Sequence, residues 1–388
     1  MIVYDKSALD NLALIEEAAS LHSAGFIGKE QKDQIKKELT VFKRQKNILV
    51  RLGFFLLGSF LYLSICGAIS LLGLNGEDTF FKICCYIFAL VGLGGAEFLA
   101  NQKYYGHGLD DAFILGAILN IGFAIAITTE GYELMIAIFV AVMSFLLYSR
   151  YLNLLSLLVF CLASTAVLFF GLFEFGENGK TILPFVTMLF AVGLYFVTKK
   201  ALQNLTKSYH YKGLLLANSF CLILFYLSCN YLVVRELSAE LLGVAVLPGQ
   251  DIPFAYFFYA FTFIVPAIYL VQAVKNKDRI LLWISFLAIG FTIYTIRFYY
   301  SVLPIEVALT LGGVVLFAIA YFSIRKLKDK ESGLTFKPDR INTSNAILNA
   351  EALLVASAFG MKPEAKPENS PMDFGGGGFS GGGSEGTF

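Results

Sequence analysis

Residues 29–51 read KEQKDQIKKELTVFKRQKNILVR, and residues 52–74 continue without a break as LGFFLLGSFLYLSICGAISLLGL. The second stretch has no charged residue and is long enough to cross a hydrocarbon core about 30 Å thick as a helix. Basic residues before a first spanning helix hold that flank in the cytoplasm. The junction therefore predicts a membrane protein with a cytoplasmic N-terminal segment, and it sets the direction of every later span.

The composition of the whole chain agrees with lipid as its main solvent. Of its 388 residues, 57% are hydrophobic and 15% are charged, and the mean hydropathy is +0.69. Soluble domains carry about a quarter charged residues. The net charge of +1 hides an alternation of Lys and Arg between loops, which indicates topology. No basic run is interleaved with exposed aromatic residues, so nucleic acid is not an expected partner.

Ten apolar segments are each long enough to span a bilayer. The loops predicted to lie inside are rich in Lys and Arg, whereas the outside loops hold mainly Glu and Asp. A basic run at 325–330 follows the last segment, so both termini are predicted to be cytoplasmic. The fold class is therefore all-α, a polytopic bundle of about ten transmembrane helices. The predicted spans are 52–74, 79–100, 112–128, 132–149, 151–173, 181–198, 212–234, 252–274, 280–297 and 303–324.

Soluble segments are predicted on both sides of the bundle, which occupies residues 51–325. Residues 1–50, called the cap below, have apolar residues at helical spacing and predict a cytoplasmic helical hairpin. The cap either packs on itself or on the membrane end, or serves as a docking platform for a partner. Residues 326–360 predict a basic linker and an amphipathic helix on the membrane surface. Residues 361–388 form a Pro/Gly-rich tail that is expected to be disordered.

Few ionisable or amide side chains lie inside the predicted spans, and each one is a functional hypothesis. Glu97, Asn120 and Asn218 are candidates for the polar lining of an inward-facing cavity. In the alternative interpretation, Glu97 reaches headgroup water and the Asn side chains hydrogen-bond between helices. Arg297 and Glu306, at the outer edge, form either an anion site or a simple salt bridge.

Two backbone features stand out inside the spans. Pro266 lies in the middle of the eighth span and predicts a helix kink, because proline cannot donate a backbone hydrogen bond. Gly92, Gly94 and Gly95 predict the close approach of a second helix.

The missing motifs make catalysis unexpected. His22, His107 and His210 are the only histidines and lie outside the predicted spans or at the membrane edge. A haem or metal site within the bundle would need histidine inside a span. No H-E-x-x-H or Walker sequence is present, and the six cysteines lie in apolar runs without C-x-x-C spacing. The chain is thus predicted to be non-enzymatic, without cofactor or metal.

Two segments resemble known bacterial proteins. Residues 21–39, LHSAGFIGKEQKDQIKKEL, resemble the start of a family of predicted multi-spanning membrane proteins of unknown function, with Gly25, Ile27 and Gln31 at a Gly-Ile-x-x-x-Gln-like turn. The resemblance implies a bacterial inner-membrane protein without an assigned activity. Residues 374–388, FGGGGFSGGGSEGTF, are similar to the tails of TPM-domain proteins. The TPM domain itself is absent from the sequence, so the similarity carries over no catalytic residue.

Two functions are consistent with these features. The first is a non-catalytic subunit or scaffold of a membrane complex, which recruits membrane or cytoplasmic proteins through the cap and the C-terminal tail. The second is a transporter or channel for a small or lipidic solute. Ten spans with short loops resemble drug/metabolite-type transporters, but the chain lacks their internal repeat. Sparse charge inside the spans argues against ion-coupled pumping, and the soluble ends favour the first function.

Overall fold

The computed structural model describes residues 2–23, 27–39, 42–45, 47–71, 78–205, 208–242, 251–276 and 278–299, with separate helical positions between 307 and 325. Within those ranges it has twelve α-helices, one 3₁₀ turn at Ser208–His210 and no β-strand. The all-α fold class is confirmed. The helices are α1 Lys6–Ser23, α2 Lys29–Glu38, α3 Ile48–Leu71, α4 Asp78–Asn101, α5 Leu109–Thr128, α6 Glu133–Tyr151, α7 Leu154–Phe173, α8 Gly176–Gln203, α9 Tyr211–Cys229, α10 Tyr231–Leu242, α11 Ala255–Asn276 and α12 Arg279–Tyr299.

Nine of the described helices, α3 to α9 with α11 and α12, are long and apolar enough to cross a membrane. Large apolar side chains such as Phe60 and Leu189 are about as exposed as surface residues, at 69% and 72%. Lipid is the solvent that accommodates such a surface. The chain is therefore a multi-span integral membrane protein. The tenth predicted span, 303–324, lies outside the described ranges except for separate positions, so the count of ten stays a prediction.

Helices α4 and α5 pack closely because two glycines of α4 leave room for side chains of α5. A Cβ atom at Gly95 would lie 2.2 Å from the Phe113 ring, and one at Gly92 would lie 2.7 Å from the backbone nitrogen of Ala117. Gly94 has open space around it. The predicted close approach is thus confirmed at Gly92 and Gly95 but not at Gly94.

The buried apolar residues form two main clusters. The first joins residues of the cap, including Tyr4 and Phe42, to residues of α3, α4, α5 and α6 such as Phe113. The second joins α8, α9 and α10 to α11 and α12. Tyr4 and Phe42 of the cap therefore pack against residues of the bundle.

The seventh predicted span, 212–234, is interrupted in the structure. Helix α9 ends at Cys229, Asn230 has extended backbone angles, and α10 begins at Tyr231. The Asn230 Oδ1 accepts hydrogen bonds from the backbone N–H groups of Leu232 at 3.0 Å and Val233 at 3.3 Å, so this side chain is the N-cap of α10. The prediction of one continuous helix over 212–234 is therefore wrong beyond Cys229. There the side chain of buried Asn230 accepts hydrogen bonds from backbone N–H groups of the next helix.

Helix α11 runs through Pro266, which is buried. Proline at this position leaves the carbonyl of Thr262, four residues earlier, without its usual backbone donor. The hydroxyl of Thr292 on α12 donates to that carbonyl at 3.0 Å. A neighbouring helix thus satisfies the backbone group that proline exposes, as membrane interiors require. The kink itself stays a prediction.

Candidate functional site

The cap is attached to one end of the bundle by backbone hydrogen bonds. Val3 N–H donates to the Arg150 carbonyl at 3.0 Å, at the end of α6. Lys43 N–H donates to the Lys103 carbonyl at 2.8 Å, and Tyr105 N–H donates back to Lys43 at 3.3 Å. These contacts join the cap to the end of α6 and to the connection between α4 and α5. The end of the bundle that they cover is called the cap end below.

A cavity of about 90 Å³ lies between α1 and the cap end. Its walls come from α1, the segment before α3, the first turns of α3, α5 and α9, the last turn of α6, and the α4–α5 and α6–α7 connections. The lining has equal numbers of acidic and basic side chains, together with several tyrosines. The polar and aromatic residues of the lining are Glu16, Arg44, Arg51, Tyr105, Asp110, Asp111, Tyr148, Tyr151, Asn153, Tyr209 and Lys212.

The most buried ion pair of the cavity joins Arg51 in α3 to Asp111 in α5. The Arg51 Nε and Nη2 donate to Asp111 Oδ2 at 2.7 and 2.6 Å. Asn153 Nδ2, at the start of α7, donates to the other carboxylate oxygen at 2.6 Å. Asp111 has 8% of its side chain exposed, whereas Arg51 has 38%. The carboxylate is thus enclosed, and its charge is balanced by a guanidinium that still reaches the surface.

Asp110 is satisfied by the backbone before α5. Its carboxylate accepts hydrogen bonds from the N–H groups of Gly106 at 2.7 Å, His107 at 2.9 Å and Gly108 at 3.0 Å. Gly106 and Gly108 have positive φ angles of 60° and 109°, which glycine adopts without strain. A Cβ at Gly108 would also meet the Arg51 carbonyl at 2.3 Å. The two glycines therefore allow the turn that surrounds the Asp110 carboxylate.

A second ion cluster links α1 to the rest of the cavity wall. Glu16 on α1 accepts hydrogen bonds from Arg44 Nη1 at 2.5 Å and from Lys212 Nζ at 2.6 and 2.8 Å. Burial raises the pKa of Glu16, but the hydrogen bonds from Lys212 and Arg44 outweigh it and hold the pKa below its usual value. Glu16 is therefore ionised at neutral pH, and one carboxylate is shared by two cations.

His107 lies beside the cavity in an aromatic setting. Its ring centroid is 4.2 Å from that of Phe54 and 4.9 Å from that of Tyr104. The side chain is buried, and its Nδ1 has no hydrogen-bond partner in the described residues. Burial lowers the pKa of His107, and the nearby Asp110 and Asp111 only partly oppose that effect. The ring is therefore neutral at neutral pH.

The structure does not bring the three predicted cavity residues together. Glu97 on α4 accepts two hydrogen bonds from Arg150, at 2.9 and 2.7 Å, and lies at the surface near the cap end. Asn120 donates to the Tyr62 hydroxyl at 2.8 Å and to a carbonyl of its own helix. Asn218 accepts from the Thr198 hydroxyl at 3.2 Å. Each has separate partners, and none of the three lines the cavity under α1.

The other two predicted sites are only partly described. Arg297 lies in the last turn of α12, but Glu306 falls outside the described residues, so their pairing stays a prediction. The polar groups that do converge include Asp110 and Asp111, which the predicted third span, 112–128, leaves in the loop before it. Two acidic residues at the start of an apolar helix, preceded by Gly-His-Gly, are the pattern that indicates this helix start.

Neither a metal site nor a relative accounts for the cavity. Among the described residues, no three His, Cys, Asp or Glu side chains are grouped as metal ligands would be. No protein-family model, curated protein or solved structure matches the chain. The two resemblances noted from the sequence therefore stay predictions.

Proposed function

We propose that this protein is a non-catalytic subunit or scaffold of a membrane complex, and that its cap presents a docking surface for a partner protein. The positive-inside pattern supports a cytoplasmic location for the cap and for both termini. The resemblance at residues 21–39 supports the bacterial inner membrane as the location. Segment 326–388 is proposed as a second contact for partners.

The observation that carries this proposal is the exposure of α2. None of its ten residues is buried, although α1 beside it belongs to the packed structure. Only Lys32 and Ile35 of α2 are even partly buried, so the helix gains little from tertiary packing, and isolated helices of this length are marginal in water. A partner surface would supply the missing burial.

The sequence of α2 indicates the kind of partner. Lys29, Lys32 and Lys36 are spaced so that they share one face of the helix. A basic stripe of this kind favours a partner with an acidic surface, because complementary charge guides association and fixes register. The proposed partner is therefore an acidic protein surface on the same side of the membrane as the cap.

The test is site-specific photo-cross-linking of the full-length protein in its native host. A photoreactive residue at Asp33, beside the lysine stripe, is expected to capture one protein in stoichiometric yield. The same residue at Asp10, an exposed position on α1, is the matched control and is expected to capture much less. The double charge reversal Lys32→Glu and Lys36→Glu should abolish the Asp33 product.

Two outcomes would contradict the scaffold proposal. One is the absence of any stoichiometric product at Asp33 when the protein is present at normal abundance. The other is a product that survives the charge reversal, because it would then not depend on the basic stripe. Truncation after residue 330 in the same experiment tests whether the C-terminal segment contributes to capture.

The second candidate function is a transporter or channel, and the polar cavity at the cap end favours it. Uptake of a small polar solute by proteoliposomes would support this function. If Glu97, Asn120 and Asn218 line the pathway, Glu97→Gln should abolish uptake without lowering the amount of folded protein. Unchanged uptake in Glu97→Gln at normal abundance would remove these residues from the pathway.

A further inference from the structure

The charges around the cavity are unevenly matched. Asp111 is paired with Arg51, and Asp110 is satisfied by three backbone N–H groups. Glu16, by contrast, is the one carboxylate that Arg44 and Lys212 share. Two cations thus share one carboxylate at this corner, although the lining as a whole has equal numbers of acidic and basic side chains. Such a corner favours a second anion, or an anion with more than one negative charge.

The Glu16 cluster also lies in a part of the cavity that a solute could reach. The side chain of Lys212 is 44% exposed and that of Glu16 is 35% exposed, whereas Asp111 is enclosed. Glu16 belongs to the cap, while Lys212 lies in the first turn of the membrane helix α9. Replacement of the Glu16 carboxylate by an external anion would therefore remove a direct contact between α1 and the bundle.

Further hydrogen-bond donors surround the same corner. Tyr105, Tyr148 and Tyr209 also line the cavity, and a tyrosine hydroxyl can donate a hydrogen bond. Helix α9 begins beside them with His210 as its N-cap, and this residue makes no side-chain capping bond. The first-turn N–H groups of a helix carry partial positive charge. The lining thus combines two cations with several donors, a set suited to an oxyanion.

We propose that the cavity under α1 binds a phosphate group, which takes the place of the Glu16 carboxylate between Arg44 and Lys212 and releases α1 from the bundle. A phosphate carries about −1.5 to −2 charge at neutral pH and has three or more acceptor oxygens, so it matches two cations better than one carboxylate does. The phosphate could belong to a soluble ion or ester, or to the headgroup of an anionic lipid at the membrane surface. This site is independent of the proposed scaffold function.

The experiment measures hydrogen exchange in α1 of the full-length protein. Inorganic phosphate is added to the protein in detergent, and the protein is separately placed in nanodiscs with or without phosphatidic acid in phosphatidylcholine. Phosphate or phosphatidic acid is expected to raise exchange of the α1 amides and leave α12 unchanged. Sodium chloride at the same ionic strength controls for general screening.

Variants of the ion cluster show whether the effect comes from this site. Glu16→Gln removes the internal competitor, so the apparent Kd of the phosphate probe should fall about tenfold. Lys212→Gln removes one of the two cations and should raise the Kd by at least about tenfold. The matched controls are Asp10→Asn, on the same helix, and Lys200→Gln, an exposed basic residue of α8; neither should change the Kd.

The two probes separate the two sources of phosphate. An effect of inorganic phosphate in detergent supports a soluble ligand, whereas an effect only in phosphatidic acid nanodiscs supports a lipid headgroup. If neither probe changes α1 exchange, or if Glu16→Gln and Asp10→Asn respond equally, the proposal is overturned. A thermal melt checks that each variant is folded, and the comparison of the wild type with Glu16→Gln decides the question even if Lys212→Gln does not fold.

Discussion

Polar networks lie at both ends of the bundle, and they are built from different groups. At the cap end, ion pairs such as Arg51 with Asp111 join elements that are far apart in sequence. Near the other end of α9, Asn230 donates to the Tyr226 hydroxyl at 3.0 Å and to the Thr295 hydroxyl at 3.2 Å. Asn230 is 0% exposed, and these three side chains are uncharged.

The difference follows from access to water. Arg51 keeps 38% of its side chain exposed, so the ion pair at the cap end is only half removed from solvent. In the network around Asn230, by contrast, the side chains of Asn230, Tyr226 and Thr295 are all buried. An ion placed there would lose most of its hydration. Neutral amides and hydroxyls can still satisfy one another in such a place. Charge is therefore used where one partner meets water, and neutral groups are used where none does.

The largest expected effect comes from removing the cation of the cap-end network. Arg51→Met leaves the Asp111 carboxylate buried with only Asn153 as a side-chain partner. Loss of one partner of a buried ion pair costs about 3 kcal/mol, because the remaining charge is uncompensated. We expect a decrease of that order in the free energy of unfolding, measured by equilibrium unfolding in mixed micelles.

A matched variant and a double variant sharpen this test. Lys200→Met removes an exposed cation and should change the stability little. Asp111→Asn in the Arg51→Met background removes the buried charge and should restore part of the loss. If Arg51→Met costs no more than Lys200→Met, the cap-end network does not stabilise the fold through its charge.

An intermediate effect is expected at the neutral network, where two asparagines can be compared directly. Asn230→Ala removes the N-cap of α10 and the two bonds to Tyr226 and Thr295, so we expect a loss of about 1.5 kcal/mol. Asn218→Ala removes one bond from Thr198 and should cost about 0.6 kcal/mol. The same unfolding measurement checks both, and equal losses would contradict a special role for Asn230.

The sequence was sufficient for most of the helices but not for their polar contacts. Apolar runs and loop charge predicted the nine described spans, and helical spacing predicted α1 and α2. Each of those features depends on neighbours in the chain. The Glu16–Lys212 contact joins residues 196 positions apart, and which acid meets which base there depends on how helices pack. The spacing of apolar residues along the sequence contains no information about which acidic side chain pairs with which basic one.

The helix break at Asn230 also could not be predicted from local sequence. The apolar run 212–234 predicted one span, because a single asparagine does not lower the hydrophobicity enough to end it. The helix breaks there because Tyr226 and Thr295 bind the side chain and the Thr262 hydroxyl accepts from Tyr231 N–H at 3.0 Å. Those partners come from α9, α12 and α11. The break is thus a tertiary effect that local sequence did not indicate.

The smallest expected effect concerns pH and the buried ring of His107. Burial lowers the pKa of His107 in the folded protein, whereas the unfolded chain has the ordinary histidine pKa near 6.5. Below that value the unfolded state binds more protons, so stability should fall as the pH is lowered from about 8 to about 5. Above it the ring is neutral in both states and contributes no pH dependence.

A variant isolates this contribution from other titrating groups. His107→Phe keeps the aromatic contacts with Phe54 and Tyr104 but cannot be protonated, so its thermal stability should depend less on pH than that of the wild type. His210, whose pKa burial also lowers, should maintain part of the dependence. His22→Gln is the control. If His107→Phe and the wild type lose equal stability between the two pH values, the buried ring does not limit the acid stability of the cap end.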